Sequence, residues 1–292
     1  MILIKHNYLF CMDKVLSYQK TIGRPISMEG LGLYSQVFST VILYPAKEDS
    51  GIVFYRKDLE GLPIPALIDF VIPSKASTTL GLSKLHCVRT VEHLMAFLKM
   101  INITNLKVDI YGPELPISDG SALIWKQMFS IAGIKTQNRV IRSSYIKKDI
   151  YLYTNSSHIT VYSNPAFAVI STMKGYENRM LAKCNFTYTY ILSNKCTLSL
   201  IASRTFATPK QVLQLRSIGF FSEEHFNKGL IYSGTKWLNG PLRFISEPMK
   251  HKILDTVGDF SLASSLWYIK IVTYETYHAL SSEILKVLNM YF

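Results

Sequence analysis

The chain has 292 residues, of which 48% are hydrophobic and 18% charged, and this composition predicts a globular protein of one or two domains. Its uninterrupted apolar runs stay short of the roughly 18 residues that a membrane-spanning helix needs, which argues against a transmembrane segment. The formal net charge of +12 favours an anionic partner, namely nucleic acid, a phosphorylated small molecule or an anionic membrane surface, unless it serves only solubility.

The start of the chain and the cysteines indicate the compartment. The first apolar run is interrupted by Lys5, His6 and Asn7 and offers no small-residue cleavage site, so no secretory signal is predicted. The four cysteines are widely spaced and include no Cys-x-x-Cys pair, which argues against disulfides and against a cysteine zinc site. A reducing compartment such as the cytoplasm is therefore expected.

The first half of the chain contains two predicted helices with a strand between them. Apolar residues at helical spacing between Val91 and Leu98 predict a helix over residues 90–100, with Thr90 as its cap. Strict alternation over residues 106–111 predicts a half-buried strand. After the turn-rich residues 112–120, a second helix is predicted over residues 121–132.

The second half follows a polar, basic stretch at residues 134–148, where we place the domain boundary. Strands are predicted at 150–154, 158–163, 168–173, 197–203 and 267–274, with a helix opening near Pro248 and another closing the chain. Each half thus combines strands with about two helices. The pattern predicts an α+β fold of two similar domains, residues 16–137 and 138–292, after an N-terminal extension of residues 1–15.

The helix near Pro248 concentrates ionisable residues on one side. At about 100 degrees per residue, a single arc contains His251, Lys252, Asp255 and Asp259, and the opposite side is apolar. A solvated helix face would by itself account for this arrangement.

A second pair, Glu92 and His93 on the first helix, favours a metal site instead. Catalytic zinc typically takes three His or carboxylate ligands and leaves a fourth position for water. His251 and Asp255, at i and i+4, could reach one ion together, and His93 would complete the set. Glu92 would then accept a proton from the water. The alternative is that these are ordinary core or surface histidines.

Several motifs, in matching order, resemble the UDP-3-O-acyl-N-acetylglucosamine deacetylases, the zinc enzymes of lipid A synthesis. They are Thr90-Val-Glu-His-Leu-Met-Ala-Phe, Gly112-Pro-Glu-Leu-Pro-Ile-Ser-Asp-Gly-Ser-Ala, Ser203-Arg-Thr-Phe, Leu242-Arg-Phe and His251-Lys-Ile-Leu-Asp-Thr-Val-Gly-Asp. The similarity extends from about Leu16 to the C-terminus and includes Gly30-Leu-Gly-Leu and Tyr277-His-Ala-Leu. An ordered set of motifs is far more specific than any one of them.

The resemblance implies that His93, His251 and Asp255 bind zinc and that Glu92 is the general base, the same residues that spacing indicates. Iron could replace zinc, since imidazole and carboxylate ligands accept both metals. The implied substrate is UDP-3-O-acyl-N-acetylglucosamine, whose acetamide is hydrolysed to the amine and acetate in the committed step of lipid A synthesis.

The resemblance also implies roles for four further residues. His278 matches a histidine that acts as a protonated acid and oxyanion partner, and Asp259 matches the carboxylate that keeps it charged. Thr205 and Lys252 match residues at the reacting carbonyl and the substrate. The alternatives are a helix-capping role for His278, a strand-end role for Thr205 and a surface role for Lys252.

The implied reaction needs an ionised Glu92 and a charged His278. Zinc would lower the pKa of its water toward roughly 7, and Glu92 would take the proton as hydroxide attacks the acetamide carbon. Zinc, Thr205 and protonated His278 would stabilise the oxyanion, so a bell-shaped pH dependence is expected.

The resemblance further implies that the helices of the two domains face each other around this site. A β-α-β insertion near residues 205–242 would form an apolar passage for the acyl chain, and the positive charge would help hold the diphosphate. The passage would be lined by Val212, Leu213, Leu215, Ile218, Phe220 and Phe221, although these residues would serve equally well as ordinary helix core.

Four departures from the family pattern concern substrate contacts rather than the metal. Tyr34 stands where histidine is common, Ala207-Thr-Pro follows Phe206 where glycine is usual, and Ser222-Glu-Glu replaces a glycine-rich stretch. A Phe-x-His-Pro motif is not evident at residues 170–180. These departures leave the acyl length and the rate open.

Two rival interpretations are a basic nucleic-acid-binding module and a homologue that binds the acylated sugar nucleotide without turning it over. The first is weakened by the lack of an RNP-like aromatic motif and of a basic helix. We therefore expect a monomeric, cytoplasmic bacterial enzyme with a small-molecule substrate and no nucleic-acid partner. A peripheral contact with an anionic membrane surface is compatible with its charge.

Overall fold

The computed structural model describes residues 2–6, 17–74, 76–141, 143, 146–174, 185–192, 197–217, 228–233, 236–263 and 268–290. The helices within these residues are α1 (Glu92–Met100), α2 (Leu123–Ala132), α3 (Leu198–Ile201), α4 (Pro209–Ser217), α5 (Glu247–Ser261) and α6 (His278–Asn289). None of the helices in the described part of the chain combines the length and the hydropathy needed to cross a bilayer.

Strands occur in both halves of the chain. Those of the first half, with one at the start of the chain, are β1 (Ile2–His6), β2 (Tyr18–Ile22), β3 (Ile26–Leu31), β4 (Phe38–Pro45), β5 (Ile52–Arg56), β6 (Pro63–Pro65), β7 (Val71–Ile72), β8 (Thr79–Gly81), β9 (Cys87–Val88), β10 (Leu106–Tyr111) and β11 (Ile134–Val140). Those of the second half are β12 (Lys148–Tyr153), β13 (His158–Ser163), β14 (Ala168–Lys174), β15 (Asn185–Ile191), β16 (Phe206–Ala207), β17 (Leu230–Ile231) and β18 (Ile269–Tyr274).

A five-stranded sheet organises the first half, in the order β3-β4-β10-β5-β6. The central strand β10 pairs antiparallel with β4 and parallel with β5. Buried residues alternate with more exposed ones along β4 and β5 and include Val41, Leu43 and Phe54, because successive side chains in a strand point to opposite faces. One face of this sheet therefore supplies core.

A six-stranded sheet organises the second half, in the order β1-β12-β13-β18-β14-β15. Ile150, Ile159, Val169 and Ile271 on its inner face are buried. Its edge strand β1 comes from the start of the chain and pairs antiparallel with β12. Residues 2–6 therefore add a strand to the second sheet, which the sequence did not indicate.

The helices join the two halves. Helix α1 of the first half packs against α5 of the second, and α5 also contacts α3, α6 and β14. Buried residues of both sheets and of these helices form one continuous hydrophobic cluster. The predicted α+β fold is confirmed, and the contact between α1 and α5 brings the motifs of the two halves together.

Two local predictions were wrong. Residues 197–203 contain the helical turn α3 rather than a strand, because Leu200 and Ile201 pack inward while the Ala202 N–H donates to the Leu198 carbonyl. Thr90 does not cap α1, whose N-cap is Val91; Thr90 has a φ of 59° and its hydroxyl donates to Glu114 instead.

The polar stretch 134–148 contains the strand β11, which pairs antiparallel with β2. Its residues are mostly exposed, so apolar periodicity could not reveal it.

Candidate metal centre

The ionisable arc of α5 is buried rather than solvated. His251, Asp255 and Asp259 are all buried, although the opposite side of α5 is also packed in the core. Helix α1 covers this arc, and the helices touch where Gly258 of α5 lies against the backbone of Glu92. Buried charges persist only when they are paired or bind metal, so this burial itself indicates a function.

Three side chains from the two helices converge on one point. One ligand atom each from His93, His251 and Asp255 lies within 4.8 Å of the others. Asp255 Oδ1 is 3.3 Å from His251 Nε2 and 3.9 Å from His93 Nε2. Within the described part of the chain, they form the single cluster of three such groups that could hold a metal ion.

The imidazoles are held in the form that binds metal. His251 Nδ1 lies 3.0 Å from the Ser203 carbonyl, to which it donates, so the lone pair is on Nε2 beside Asp255. Burial lowers the pKa of His251, and burial together with His251 lowers the pKa of His93 to about 4. Both rings are therefore neutral near pH 7.

The carboxylate also fits a cation. Burial opposes ionisation of Asp255, yet the neighbouring His251, His278 and Lys252 lower its pKa. Its Oδ1 is buried without a hydrogen-bond partner among the described residues. An orphaned, ionised oxygen between two neutral imidazoles is the donor set that a divalent metal such as zinc requires.

Glu92 lies beside this cluster, with one carboxylate oxygen held by a backbone N–H and the other facing His278. Its Oε2 accepts the Thr78 N–H at 3.0 Å, and its Oε1 is 3.9 Å from His278 Nε2. Burial raises the pKa of Glu92 to about 8, against the opposing effect of His278. A divalent cation at the adjacent cluster would lower that pKa, since positive charge favours the carboxylate.

His278 and Asp259 form a buried pair on the other side of Glu92. His278 Nδ1 lies 3.0 Å from Asp259 Oδ1 and 3.1 Å from Oδ2. Burial alone lowers the pKa of His278, but Asp259, Glu92 and Asp255 outweigh it and raise the pKa to about 10. His278 begins α6, and its side chain pairs with Asp259 instead of capping that helix.

Three of these groups, His251, Asp255 and His278, line a cavity of about 850 Å³. Its lining includes Thr205, His251, Lys252, Asp255 and His278. The backbone of Thr205 is fixed by a hydrogen bond from its N–H to the Gly120 carbonyl, at 2.7 Å. Lys252 donates to the Thr276 carbonyl at 3.3 Å, so it is a cavity residue with a partner and not a free surface lysine.

Tyr34, the departure from the family pattern, lines the same cavity. Its hydroxyl donates to the Ala76 carbonyl at 2.9 Å. Glu114, which is fully buried, accepts the N–H groups of Leu33, Tyr34 and Ser35 and the Thr90 hydroxyl. Glu114 thus anchors the turn that contains Tyr34 and also Thr90, two residues before α1.

The β-α-β segment after Thr205 closes one side of the cavity. Strands β16 and β17 pair in parallel with α4 between them. Helix α4 lines the cavity with Gln211, Gln214 and Ser217, whereas Val212 is buried and Leu213 is exposed. The side chain of Leu215 and residues Ile218, Phe220, Phe221 and Ser222–Glu224 lie outside the described part of the structure.

The structure thus brings together all eight residues singled out in the sequence, places Tyr34 at the same cavity and adds Thr78 and Ser203 to the site. Thr78 contacts Glu92 and Asp259, and Ser203 supplies the carbonyl that orients His251. No spacing pattern marks Thr78, because it is 181 residues from Asp259. Ser203 does lie in the Ser-Arg-Thr-Phe motif, which was the available signal.

The fold and the site define a metal-dependent hydrolase with a carboxylate and a charged histidine beside the metal cluster. Comparison with known proteins agrees with this class. The family model described as UDP-3-O-acyl N-acetylglycosamine deacetylase matches residues 19–290, and the chain belongs to that family. The metal cluster, Glu92 and the Asp259–His278 pair all lie within the matched residues.

Named relatives cover most of the chain. A UDP-3-O-acyl-N-acetylglucosamine deacetylase of Cyanidium caldarium is 34% identical over 277 residues, 92% of this chain and 97% of the relative. Proteins of the same name from Synechocystis sp. and Nautilia profundicola are 33% and 35% identical, covering 90% and 84% of this chain and 96% and 82% of the relatives.

Proposed function

We propose that this chain hydrolyses the acetamide of UDP-3-O-acyl-N-acetylglucosamine to the free amine and acetate, as the names of its relatives describe, in lipid A synthesis. The observation that carries the proposal is the convergence of three potential metal-binding groups, with the buried Glu92 beside the charged His278, next to a cavity that His251, Asp255 and His278 line. Each of these parts has a distinct task in amide hydrolysis.

We propose zinc, held by His93, His251 and Asp255, as the metal. Two neutral imidazoles and a carboxylate suit zinc, and the same donors accept ferrous iron. When bound, zinc supplies a Lewis acid that lowers the pKa of water and polarises the amide carbonyl. The Ser203 carbonyl supports this arrangement by fixing the tautomer and the orientation of His251.

Glu92 is the proposed general base. It accepts a proton from the attacking water as the new bond to the acetamide carbon forms. The N–H of Thr78 holds Glu92 Oε2, which leaves Oε1 directed toward His278 and available for the proton. Because Glu92 must be ionised to act, the rate rises with pH through its pKa.

His278 and Thr205 are the proposed partners of the carbonyl oxygen. The protonated His278 stabilises the developing negative charge, and Thr205 lines the same cavity and offers a hydroxyl. Collapse of the tetrahedral intermediate breaks the carbon–nitrogen bond, and the amine leaves with the proton of His278, which the proton that Glu92 took from water then replaces. Asp259 supports this role because it keeps His278 charged near pH 7.

The cavity suits an anionic sugar nucleotide. Lys84, Arg89 and Lys252 line it together with apolar residues such as Ile72 and Phe206. The basic side chains offer partners for the diphosphate and the net charge of +12 attracts it from solution. Lys252 directly follows the proposed metal ligand His251 and lies four residues before Thr256. We assign it to contact with the substrate.

We further propose that residues 16–137 and 138–292 form two domains. The five-stranded sheet draws its strands from residues 26–111, and the six-stranded sheet takes all but β1 from residues 148–274. The β16-α4-β17 unit is the proposed insertion within residues 205–242. We propose a monomer working in the cytoplasm, with at most a peripheral contact with an anionic membrane.

The experiment is acetate release by the purified, zinc-loaded protein from UDP-3-O-acyl-N-acetylglucosamine. Glu92→Gln, which keeps the shape of the side chain but cannot accept the proton, should lower kcat by about 100-fold or more. Glu60→Gln, at an exposed glutamate, is the matched control and should leave kcat unchanged. Binding of the substrate without any acetate release by the wild-type protein would support the non-catalytic homologue instead.

A further inference from the structure

Thr78 occupies a buried position between the base and the acid of the proposed reaction. It lies between β7 and β8, with 3% of its surface exposed. Its backbone is anchored, since the Val91 N–H donates to its carbonyl at 3.2 Å. Two residues earlier, the Ala76 carbonyl accepts the Tyr34 hydroxyl at 2.9 Å. Thr78 is therefore held against the start of α1.

The polar groups of Thr78 contact both parts of the proton-transfer machinery. Its N–H donates to Glu92 Oε2 at 3.0 Å, and its hydroxyl donates to Asp259 Oδ1 at 2.5 Å. The same hydroxyl oxygen lies 3.2 Å from His278 Nδ1. One residue thus links a carboxylate of α1, a carboxylate of α5 and the imidazole that opens α6.

The side chain of Thr78 is separated from the substrate cavity. Ser77 and Thr79, its neighbours in sequence, line the 850 Å³ cavity, but Thr78 is not part of that lining. It lines a smaller neighbouring space of about 150 Å³, which also borders His278. Its hydroxyl therefore acts on the reaction through Asp259 and His278 rather than by contact with the substrate.

We propose that Thr78 is a positioning residue for the deacetylation, an inference that rests on the proposed function. Its hydroxyl fixes the Asp259 carboxylate so that both carboxylate oxygens face His278 Nδ1, while its N–H fixes Glu92. A hydrogen bond from a neutral hydroxyl to an ionised oxygen is stronger than one between two neutral groups. Burial strengthens it further.

Thr78→Val isolates the hydroxyl. Valine has nearly the same shape and keeps the backbone N–H to Glu92, so only the hydroxyl contacts with Asp259 and His278 are lost. We expect kcat to fall about tenfold or more, with KM unchanged within about twofold, because the lost interaction supports the transition state and not substrate binding. Thr78→Ser restores the hydroxyl and should recover kcat to within about threefold of wild type.

A double-mutant cycle tests the pathway of the effect. If Thr78 acts through Asp259, then Thr78→Val should cost less than about twofold in kcat when Asp259→Asn is already present. Full additivity of the two losses in kcat would overturn the proposal. A loss caused only by disturbed packing would also raise KM or would persist in Thr78→Ser, and either result contradicts the role.

The matched control is Thr273→Val. Thr273 is fully buried on β18, and its hydroxyl has no hydrogen-bond partner among the described residues. This change should leave kcat and KM unchanged. All variants are measured as zinc-loaded full chains alongside wild type. An inactive wild type counts against the proposed function, whereas an active wild type with an unaffected Thr78→Val variant counts against this inference alone.

Discussion

Gly258 of α5 lies so close to Glu92 of α1 that a methyl group added to it would come within 2.8 Å of the Glu92 carbonyl carbon and closer still to the carbonyl oxygen. Only glycine allows this approach, because the obstacle is backbone and cannot rotate away. The contact sets the distance between the helix that carries Glu92 and His93 and the helix that carries His251 and Asp255.

Gly258→Ala should therefore destabilise the protein, by about 1–3 kcal/mol of unfolding free energy. Alanine normally stabilises a helix interior by roughly 1 kcal/mol relative to glycine, so the sign of the change is informative. Chemical denaturation of the metal-free and zinc-loaded proteins measures it. The zinc-loaded form should lose more unfolding free energy than the metal-free form, because the helices that carry the proposed ligands are pushed apart. An increase in stability would show that the helices do not meet at this glycine.

Asp259→Asn should move the alkaline limb of the pH–rate profile to lower pH. The rate requires protonated His278, whose pKa burial lowers and Asp259 raises, to about 10 in total. Without the charge of Asp259, burial prevails and His278 loses its proton at a lower pH. Acetate release measured as kcat between pH 5 and 11 should show a shift of about one unit or more. An unchanged alkaline limb would remove Asp259 from this role.

Glu247→Ala should destabilise the fold strongly. The buried Glu247 carboxylate accepts the Arg204 Nε at 2.8 Å and also the backbone N–H groups of Arg204 and Arg243. Its removal leaves a guanidinium and two N–H groups without their partner, at a cost of about 3 kcal/mol or more. Glu283→Ala, at an exposed position on α6, is the control and should change the unfolding free energy by less than about 0.5 kcal/mol.

Glu114→Gln tests the anchor of the Tyr34 turn. One of the two carboxylate oxygens becomes an amide NH₂, which faces N–H donors of residues 33–35 or the Thr90 hydroxyl. We expect a loss of about 1–3 kcal/mol in unfolding free energy and a higher KM, since Tyr34 lines the cavity. Equal KM values for variant and wild type would mean that the turn does not shape the substrate site.

Sequence patterns predicted the parts of this site that depend on helix periodicity. The i and i+4 spacing of His251 and Asp255 placed two groups on one arc, and the adjacent Glu92 and His93 supplied a second pair. That the arc is buried under α1 depends on tertiary packing around Gly258, which no local pattern encodes. His278 was assigned to the site from the family motifs and not from spacing.

The unpredicted features are those in which backbone pairing or distant contacts outweigh local preference. Strand β1 joins the second sheet through pairing with residues 148–152, almost 150 positions along the chain. Residues 197–203 alternate like a strand but form the turn α3 because they pack against α5. Thr78 meets Asp259 only because α1 and α5 are in contact.

The central claim is a single metal ion bound jointly by α1 and α5, and metal analysis of the purified protein tests it most directly. We predict one zinc or ferrous ion per chain, loss of stoichiometric metal in His93→Ala, His251→Ala and Asp255→Ala, and retention in His158→Ala, a histidine on β13 outside the cluster. Chelation should abolish acetate release, and zinc should restore it. Full activity in a metal-free protein, or stoichiometric metal in all three ligand variants, would contradict the account.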